Sequence, residues 1–297
     1  MINIFSKPKY YVPNLGQSWL ITLVFVIGAT LLGYFFLVAI SLFIPGMTIK
    51  NATTYSLSLT YIVQMIFPIF FIWLMGYNKS KDPMVQPIKI DKPHIGKFNF
   101  LTLGLILLFL TLGMGYFLDP VSDLFTMPDT FKEMFAKMKG DYWDTLISAA
   151  VMAPLCEEFI LRGTMERGML AHYKPQKAIL WSAFIFGLIH LNPWQFFNAF
   201  LIGILLGWIY YRTHSIWAVI FIHFVNNFYS VITVKLFPSV DLELTSRENY
   251  AAMFGSDIYY WILMIAGGII SAICIYILNK NLPKEPQSFK FENRLIA

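Results

Sequence analysis

Two adjacent glutamates and an arginine stand inside an apolar stretch, residues 154–162, whose sequence is PLCEEFILR. If this stretch is helical, Glu158 and Arg162 are four residues apart and can pair along one face. Glu157 is turned about 100° from Glu158 and has no partner at helical spacing. These positions predict that Glu157 is the carboxylate available for chemistry.

Further polar and ionisable side chains occur in two later apolar segments. His190 lies near the end of one segment, and His223, Asn226 and Asn227 lie together in the other. Because His223 and Asn227 are four residues apart, one helix face presents an imidazole and an amide. An ionisable group inside a membrane costs about 2.5 to 3.5 kcal/mol on insertion scales and usually faces a bundle interior or a water-filled cavity. The pattern indicates a polar site enclosed by helices.

The helices that carry these groups must bring them to similar depths and admit water. Counting about 1.5 Å per residue, Glu157 and His223 each lie roughly 13 Å from the cytoplasmic ends of their helices, and His190 roughly 20 Å. The three groups can therefore converge near the middle of the bilayer. Pro154 removes a backbone donor, so we expect a kink just before the glutamates that lets water in.

Each feature also has a purely structural interpretation. Glu158 with Arg162 is compatible with a structural ion pair, and His190 with a hydrogen-bonded helix end. His223 with Asn227 is compatible with a polar clamp between helices. No role is assigned to the other ionisable residues placed in loops or at helix ends, which are His94, His172, His214 and, at the cytoplasmic end of its helix, Glu166.

The composition identifies the class of protein. Of 297 residues, 57% are hydrophobic and only 13% charged, with a mean hydropathy of +0.61. Most residues fall into apolar runs long enough to span a hydrocarbon core. The sequence therefore predicts an all-α, polytopic integral membrane helix bundle forming a single domain, 1–297, with a flexible cytoplasmic tail at 281–297. Eight transmembrane helices are expected, at roughly 18–44, 55–76, 98–117, 144–166, 176–192, 195–212, 214–236 and 257–279.

The distribution of charge predicts how the bundle is oriented. Lys and Arg concentrate in alternate loops, whereas the other loops hold few basic residues and several acids. By the positive-inside rule both termini are cytoplasmic. The net charge of +5 then reflects topology, and no basic cluster interleaved with aromatics indicates a nucleic-acid partner. Residues 129–140 have an apolar helical face suited either to the outer membrane interface or to packing on the bundle.

Three short motifs occur in order in the chain. EEFILR matches EExxxR, FGLIH from Phe186 to His190 matches FxxxH, and HFVNN from His223 to Asn227 matches HxxxN. In order and spacing the chain resembles the CPBP family of intramembrane proteases, named for CAAX processing and bacteriocin self-immunity. The resemblance covers a core motif region of about 144–236. A composition rich in Lys, Asn, Ile and Phe resembles that of low-GC bacteria, so we expect a multi-pass protein of a bacterial cell membrane.

The resemblance implies peptide-bond hydrolysis at or within the lipid bilayer. It assigns Glu157 as the general base that activates water and His190 as a residue that helps to bind this water. His223 and Asn227 match the positions that stabilise the oxyanion, and both can donate hydrogen bonds to developing charge. The expected substrates are membrane-associated peptides or proteins that enter laterally between helices.

The resemblance leaves the cofactor open between zinc and no metal. Glu158 and Arg162 would hold their helix in register. If a metal is present, Glu157, His190 and His223 form a two-histidine, one-carboxylate set with an open fourth position. The chain lacks an HExxH motif, so its sequence does not separate a metal-bound water from one held by Glu157 and His190 alone.

Two other classes of function are compatible with the sequence. A non-catalytic membrane scaffold, such as a bacteriocin-immunity or regulatory partner, needs only the fold and a surface. A proton-coupled transporter also needs buried Glu, His and Arg, but it usually has internal repeats and paired broken helices.

Overall fold

A computed structural model of the chain describes residues 4–49, 51–52, 57–85, 87, 93–129, 131–133, 142–237 and 239–284. The regular secondary structure of these residues is helical throughout, without a strand, which confirms the predicted all-α class. A 3-10 segment, Ile4–Tyr10, precedes the first long helix. The α-helices are α1 (Leu15–Phe43), α2 (Leu57–Lys79), α3 (Phe100–Ser122), α4 (142–172), α5 (Pro175–Leu188), α6 (Pro193–Thr213), α7 (Ile216–Leu236), α8 (Ser246–Phe254) and α9 (Ile258–Asn281).

Within the described part of the chain, six helices are long and apolar enough to cross a membrane, namely α1, α2, α3, α6, α7 and α9. The chain is thus a multi-pass membrane protein. The predicted spans at 144–166 and 176–192 correspond to α4 and α5, which are helical but are not among the six. With 14 residues, α5 is only about 21 Å long, shorter than a hydrocarbon core of about 30 Å. The predicted count of eight spans is therefore not confirmed.

Small residues allow the helices to approach closely. A Cβ atom on Gly267 of α9 would lie 2.6 Å from the carbonyl oxygen of Gly113 on α3. A Cβ atom on Gly203 of α6 would lie 3.1 Å from atoms of Ala183 and Phe186 on α5. Helices in lipid associate through close van der Waals packing, which glycine permits. The second contact holds α5, with its terminal His190, against α6.

The two ends of the described part of the chain pack at one end of the bundle. Before α1, the carbonyl oxygen of Pro8 accepts a hydrogen bond from Arg167 near the end of α4, at 3.2 Å. After α9, the carbonyl oxygen of Leu282 accepts one from Arg212 near the end of α6, at 2.9 Å. A Cβ atom on Gly207 of α6 would lie 2.8 Å from Glu166 Oε2 of α4, so the later parts of these two helices lie at the same end of the bundle. The orientation of this end towards the cytoplasm stays a prediction.

Two predicted segments lie only partly within the described residues. Residues 131–133 of the expected interface helix at 129–140 are helical, and residues 130 and 134–140 lie outside the description. Of the expected tail at 281–297, Asn281 ends α9 and Leu282 is buried. Residues 285–297 lie outside the described part.

Candidate active site

Helix α4 has an unusual backbone around the two glutamates. Glu157 and Glu158 lie in an α-helical stretch, Ala153–Ile160, between two π-helical stretches, Leu146–Met152 and Leu161–Glu166. Pro154, which has no backbone N–H, lies where the first π-helical stretch passes into the α-helical stretch. The helix is continuous at this point, and the kink expected from the sequence stays a prediction. Such π turns are frequent at functional sites.

The predicted pair of Glu158 and Arg162 is present and fully buried. Arg162 Nη1 donates to Glu158 Oε1 at 3.0 Å, and both side chains are 0% exposed. Arg162 Nη2 donates to the carbonyl oxygen of Gly203 on α6 at 3.0 Å. Glu166 lies one turn further along, with its Oε2 3.7 Å from Arg162 Nε. The arginine thus faces a carboxylate on either side.

Glu166 corrects a prediction made from the sequence. It was expected at the cytoplasmic end of its helix, without a role. Its side chain is instead 0% exposed and belongs to the same buried ion-pair network as Arg162. The physical reason is that α4 continues to His172, so Glu166 lies inside the helix.

His223 connects the two adjacent glutamates. Its Nδ1 lies 2.8 Å from Glu158 Oε1, and its Nε2 lies 4.0 Å from Glu157 Oε2. An ionised carboxylate only accepts, so Nδ1 donates to Glu158 and Nε2 faces Glu157. The distance of 4.0 Å is too long for a direct hydrogen bond but leaves room for one bridging oxygen atom.

Glu157 has a different environment from Glu158. Its Oε1 accepts a hydrogen bond from the phenol of Tyr61 on α2 at 2.8 Å. Its side chain is 13% exposed and opens into a cleft of about 180 Å³. The cleft is lined by residues of α1, α2, α4 and the turn after α5, which include Phe25, Thr30, Tyr61, Gln64, Glu157 and His190.

His190 is held at the end of α5. Its Nδ1 lies 2.8 Å from the carbonyl oxygen of Phe186 and donates to it, because a carbonyl only accepts. The other ring nitrogen, Nε2, then carries a lone pair in the neutral imidazole. Leu191, the next residue, has a positive φ of 58° and is exposed on the cleft. This sharp turn ends the helix and brings His190 to the cleft.

The ring of Phe186 packs against the guanidinium group of Arg162 and against the imidazole rings of His190 and His223. The guanidinium carbon of Arg162 lies 4.7 Å from the centroid of its ring. The rings of His190 and His223 meet it edge to face, each with a centroid distance of 5.3 Å. Phe186 therefore fixes the spacing between two of the three motifs. The sequence places it in the FxxxH motif but does not indicate this packing.

Asn227 forms a hydrogen bond that joins α7 to α4. It donates from Nδ2 to the carbonyl oxygen of Ala149, in the first π-helical stretch of α4, at 2.8 Å. Asn226 donates to Asn227 Oδ1 at 3.1 Å. One N–H of the Asn227 amide thus ties α7 to α4, and the amide retains a second N–H.

The fit of a metal ion can be tested against the donor set. Across the described residues, no group of three or more His, Cys, Asp or Glu side chains is arranged to hold a metal ion. Glu157, His190 and His223 each have one polar atom engaged by Tyr61, a carbonyl oxygen and Glu158, respectively. The engaged atoms are Oε1 of Glu157 and Nδ1 of each histidine, and metal-binding histidines usually donate from one ring nitrogen to a carboxylate or carbonyl oxygen in this way. The donor set therefore does not distinguish a zinc site from a metal-free one.

Comparison with known proteins finds a family model that matches this part of the chain. Residues 140–229 match the family model described as type II CAAX prenyl endopeptidase Rce1-like. The match supports assignment of the chain to the CPBP family of CAAX proteases, as its three motifs suggest. No curated protein matches the chain. No solved structure matches it either.

Proposed function

We propose that the protein is an intramembrane endopeptidase that hydrolyses peptide bonds of membrane-associated peptides or proteins. The family implies CAAX protease-type endopeptidase activity. The observation that carries the proposal for this chain is the contrast between two adjacent glutamates. Glu157 opens into a cleft shared with His190, whereas Glu158 is fully buried against Arg162. A carboxylate next to an imidazole at a water-accessible position suits a general base.

The proposed reaction begins with a water molecule held by Glu157 and His190. Glu157 takes a proton from this water while the oxygen of the water bonds to the carbonyl carbon of the substrate. The carbonyl oxygen then becomes an oxyanion. The oxyanion then re-forms the double bond and the C–N bond breaks. The proton held by Glu157 passes to the leaving amine nitrogen. The products are a carboxylic acid and an amine, and Glu157 is again ionised.

His223 and Asn227 are proposed to stabilise the oxyanion. His223 Nε2 and Glu157 Oε2 are 4.0 Å apart, so an oxygen atom beside them can lie within hydrogen-bond distance of both. When protonated, His223 would donate from Nε2, and its Nδ1 would stay bonded to Glu158. Asn227 would donate its second N–H. Prearranged donors of this kind are often worth two to three orders of magnitude in rate.

Glu158 and Arg162 have a positioning role in this proposal. Arg162 joins α4 to α6 through Gly203, and Glu158 orients the imidazole of His223. Neither side chain is exposed, so neither is expected to contact the substrate. The proposed steps are written with side chains of the protein alone.

The substrate is proposed to reach Glu157 from the lipid between α1 and α2. The cleft includes apolar side chains such as Phe25 and Met65 together with the polar side chains of Thr30 and Gln64. Such a lining suits an apolar peptide whose backbone must still form hydrogen bonds. A peptide anchored in the cell membrane of a bacterium has these properties.

The proposal is tested by proteolysis in liposomes. Wild type and Glu157→Gln are incubated with membrane-anchored peptides and with soluble quenched peptides, with and without a chelator, and products are identified by mass spectrometry. We expect cleavage of anchored peptides by the wild type and a rate about 10²- to 10⁴-fold lower in Glu157→Gln. If the wild type cleaves nothing and Glu157→Gln retains the cellular function, the protein is a scaffold. Ion-dependent flux lost in Glu157→Gln would indicate a transporter.

A further inference from the structure

Tyr61 is the side chain that contacts Glu157 most closely outside the three motifs. Its hydroxyl donates to Glu157 Oε1 at 2.8 Å. Tyr61 lies on α2, far from the matched residues 140–229. The contact joins positions 96 residues apart, so no local spacing could indicate it.

The hydrogen bond distinguishes the two oxygens of Glu157. Oε1 is engaged by the phenol, while Oε2 lies 4.0 Å from Nε2 of His223. Rotation of the carboxylate about its last bond would exchange these two positions. A phenol donor at Oε1 opposes this rotation, because the bond to Tyr61 would be lost. Oε2 therefore stays towards Nε2 of His223, next to the position proposed for the water or the oxyanion.

The surroundings of Tyr61 hold its ring in place. Helix α2 packs against the α-helical and first π-helical stretches of α4, and the ring of Tyr61 packs against the buried core. Tyr61 and Gln64 both line the cleft, one turn apart on α2. The phenol thus reaches Glu157 from α2, whereas His223 reaches it from α7.

From this geometry we infer that Tyr61 is a positioning residue for the general base, so that α2 completes a site whose motifs lie on α4, α5 and α7. This inference rests on the proposed function. A hydrogen bond to a charged group in a buried site contributes enough that its loss lowers a rate by about 10- to 100-fold. The loss falls on kcat, because the phenol acts on Glu157 and not on the substrate.

The test compares Tyr61→Phe with a matched control in liposomes containing an anchored peptide that the wild type cleaves. Phe removes only the hydroxyl group. Tyr34→Phe removes a hydroxyl from an exposed tyrosine on α1 and serves as the control. We expect kcat to fall about 10- to 100-fold in Tyr61→Phe, with KM within about threefold of wild type. The melting temperature should change no more than in Tyr34→Phe.

A double-mutant cycle separates positioning of Glu157 from other effects. In Glu157→Gln the base is gone, so adding Tyr61→Phe should lower the residual rate no further. Additive losses would overturn the inference, as would an unchanged kcat or a loss that follows a lowered melting temperature. These outcomes would overturn only the role of Tyr61. The proposed protease function would still stand, as long as the wild type cleaves and Glu157→Gln is far slower. If Glu157→Gln cleaves like wild type, the proposed function fails first.

Discussion

Glu157 and Glu158 are neighbours in the chain but have opposite surroundings. Glu158 has no exposed surface and bonds to Arg162 and His223. Glu157 is partly exposed in the cleft and bonds to Tyr61. Adjacent helical residues point about 100° apart, so one helix can direct one carboxylate into the core and the other into the cleft. The same sequence motif thereby supplies both a structural anchor and the proposed general base.

Removal of Arg162 should destabilise the protein more than a typical substitution. Arg162→Leu leaves Glu158 and Glu166 buried without their cation, and breaking a buried ion pair typically costs about 3 to 5 kcal/mol. We expect a large fall in melting temperature or loss of folded protein, measured by thermal denaturation in lipid nanodiscs. Adding Glu158→Gln and Glu166→Gln should restore part of the stability. An unchanged melting temperature in Arg162→Leu would show that the network contributes little.

The elements that hold the site are themselves irregular. Two π-helical stretches flank the glutamates. Helix α5 ends at Leu188, and the turn after it contains His190 and the positive φ of Leu191. These departures from a regular helix place one imidazole and one carboxylate at the same cleft. Regular helices on either side, α2 and α7, pack directly against α4.

The close contact between α3 and α9 can be tested with alanine. In Gly267→Ala the new methyl group would lie 2.6 Å from the carbonyl oxygen of Gly113, so the helices must separate. Overpacking of this kind costs about 1 to 3 kcal/mol. Gly115→Ala on α3 is the matched control, since its Cβ meets no atom within 4 Å. We expect a lower melting temperature for Gly267→Ala than for Gly115→Ala, and equal values would contradict the packing described.

At the scale of the whole molecule, both ends of the described chain lie at one end of the bundle, and the charge pattern predicts that this end is cytoplasmic. A membrane-impermeant maleimide can test this on intact cells. Single cysteines are introduced as Lys284→Cys or Asp241→Cys, with Cys156→Ala and Cys274→Ala in the background. We expect labelling at position 241 before permeabilisation and at position 284 only after it. The reverse pattern would invert the orientation.

The sequence predicts the helical class and the local geometry of the site. The pairing of Glu158 with Arg162 follows from their spacing, because contacts four residues apart depend only on the helix. The contact of Tyr61 with Glu157 does not follow, since it depends on how α2 packs against α4. Asn227 shares a helix face with His223, yet tertiary packing directs it to Ala149.

The lengths and boundaries of the helices are also difficult to predict from the sequence. The prediction ends the fourth span at 166, whereas α4 continues to His172 and encloses Glu166. It also assigns a full span to 176–192, where α5 has 14 residues. Hydropathy detects apolar segments, but a π turn or an early helix end depends on backbone contacts that hydropathy does not contain.

The measurement that tests the central claim most directly is kcat of Glu157→Gln against a matched carboxylate variant, using one anchored peptide in liposomes. Asp119→Asn removes a carboxyl group from α3, away from the residues that line the cleft. Loss of a general base lowers the rate by about 10²- to 10⁴-fold. We expect a loss of this size for Glu157→Gln at an unchanged melting temperature, and a rate near wild type for Asp119→Asn. Equal rates for Glu157→Gln and wild type would contradict the assignment of Glu157 as the base.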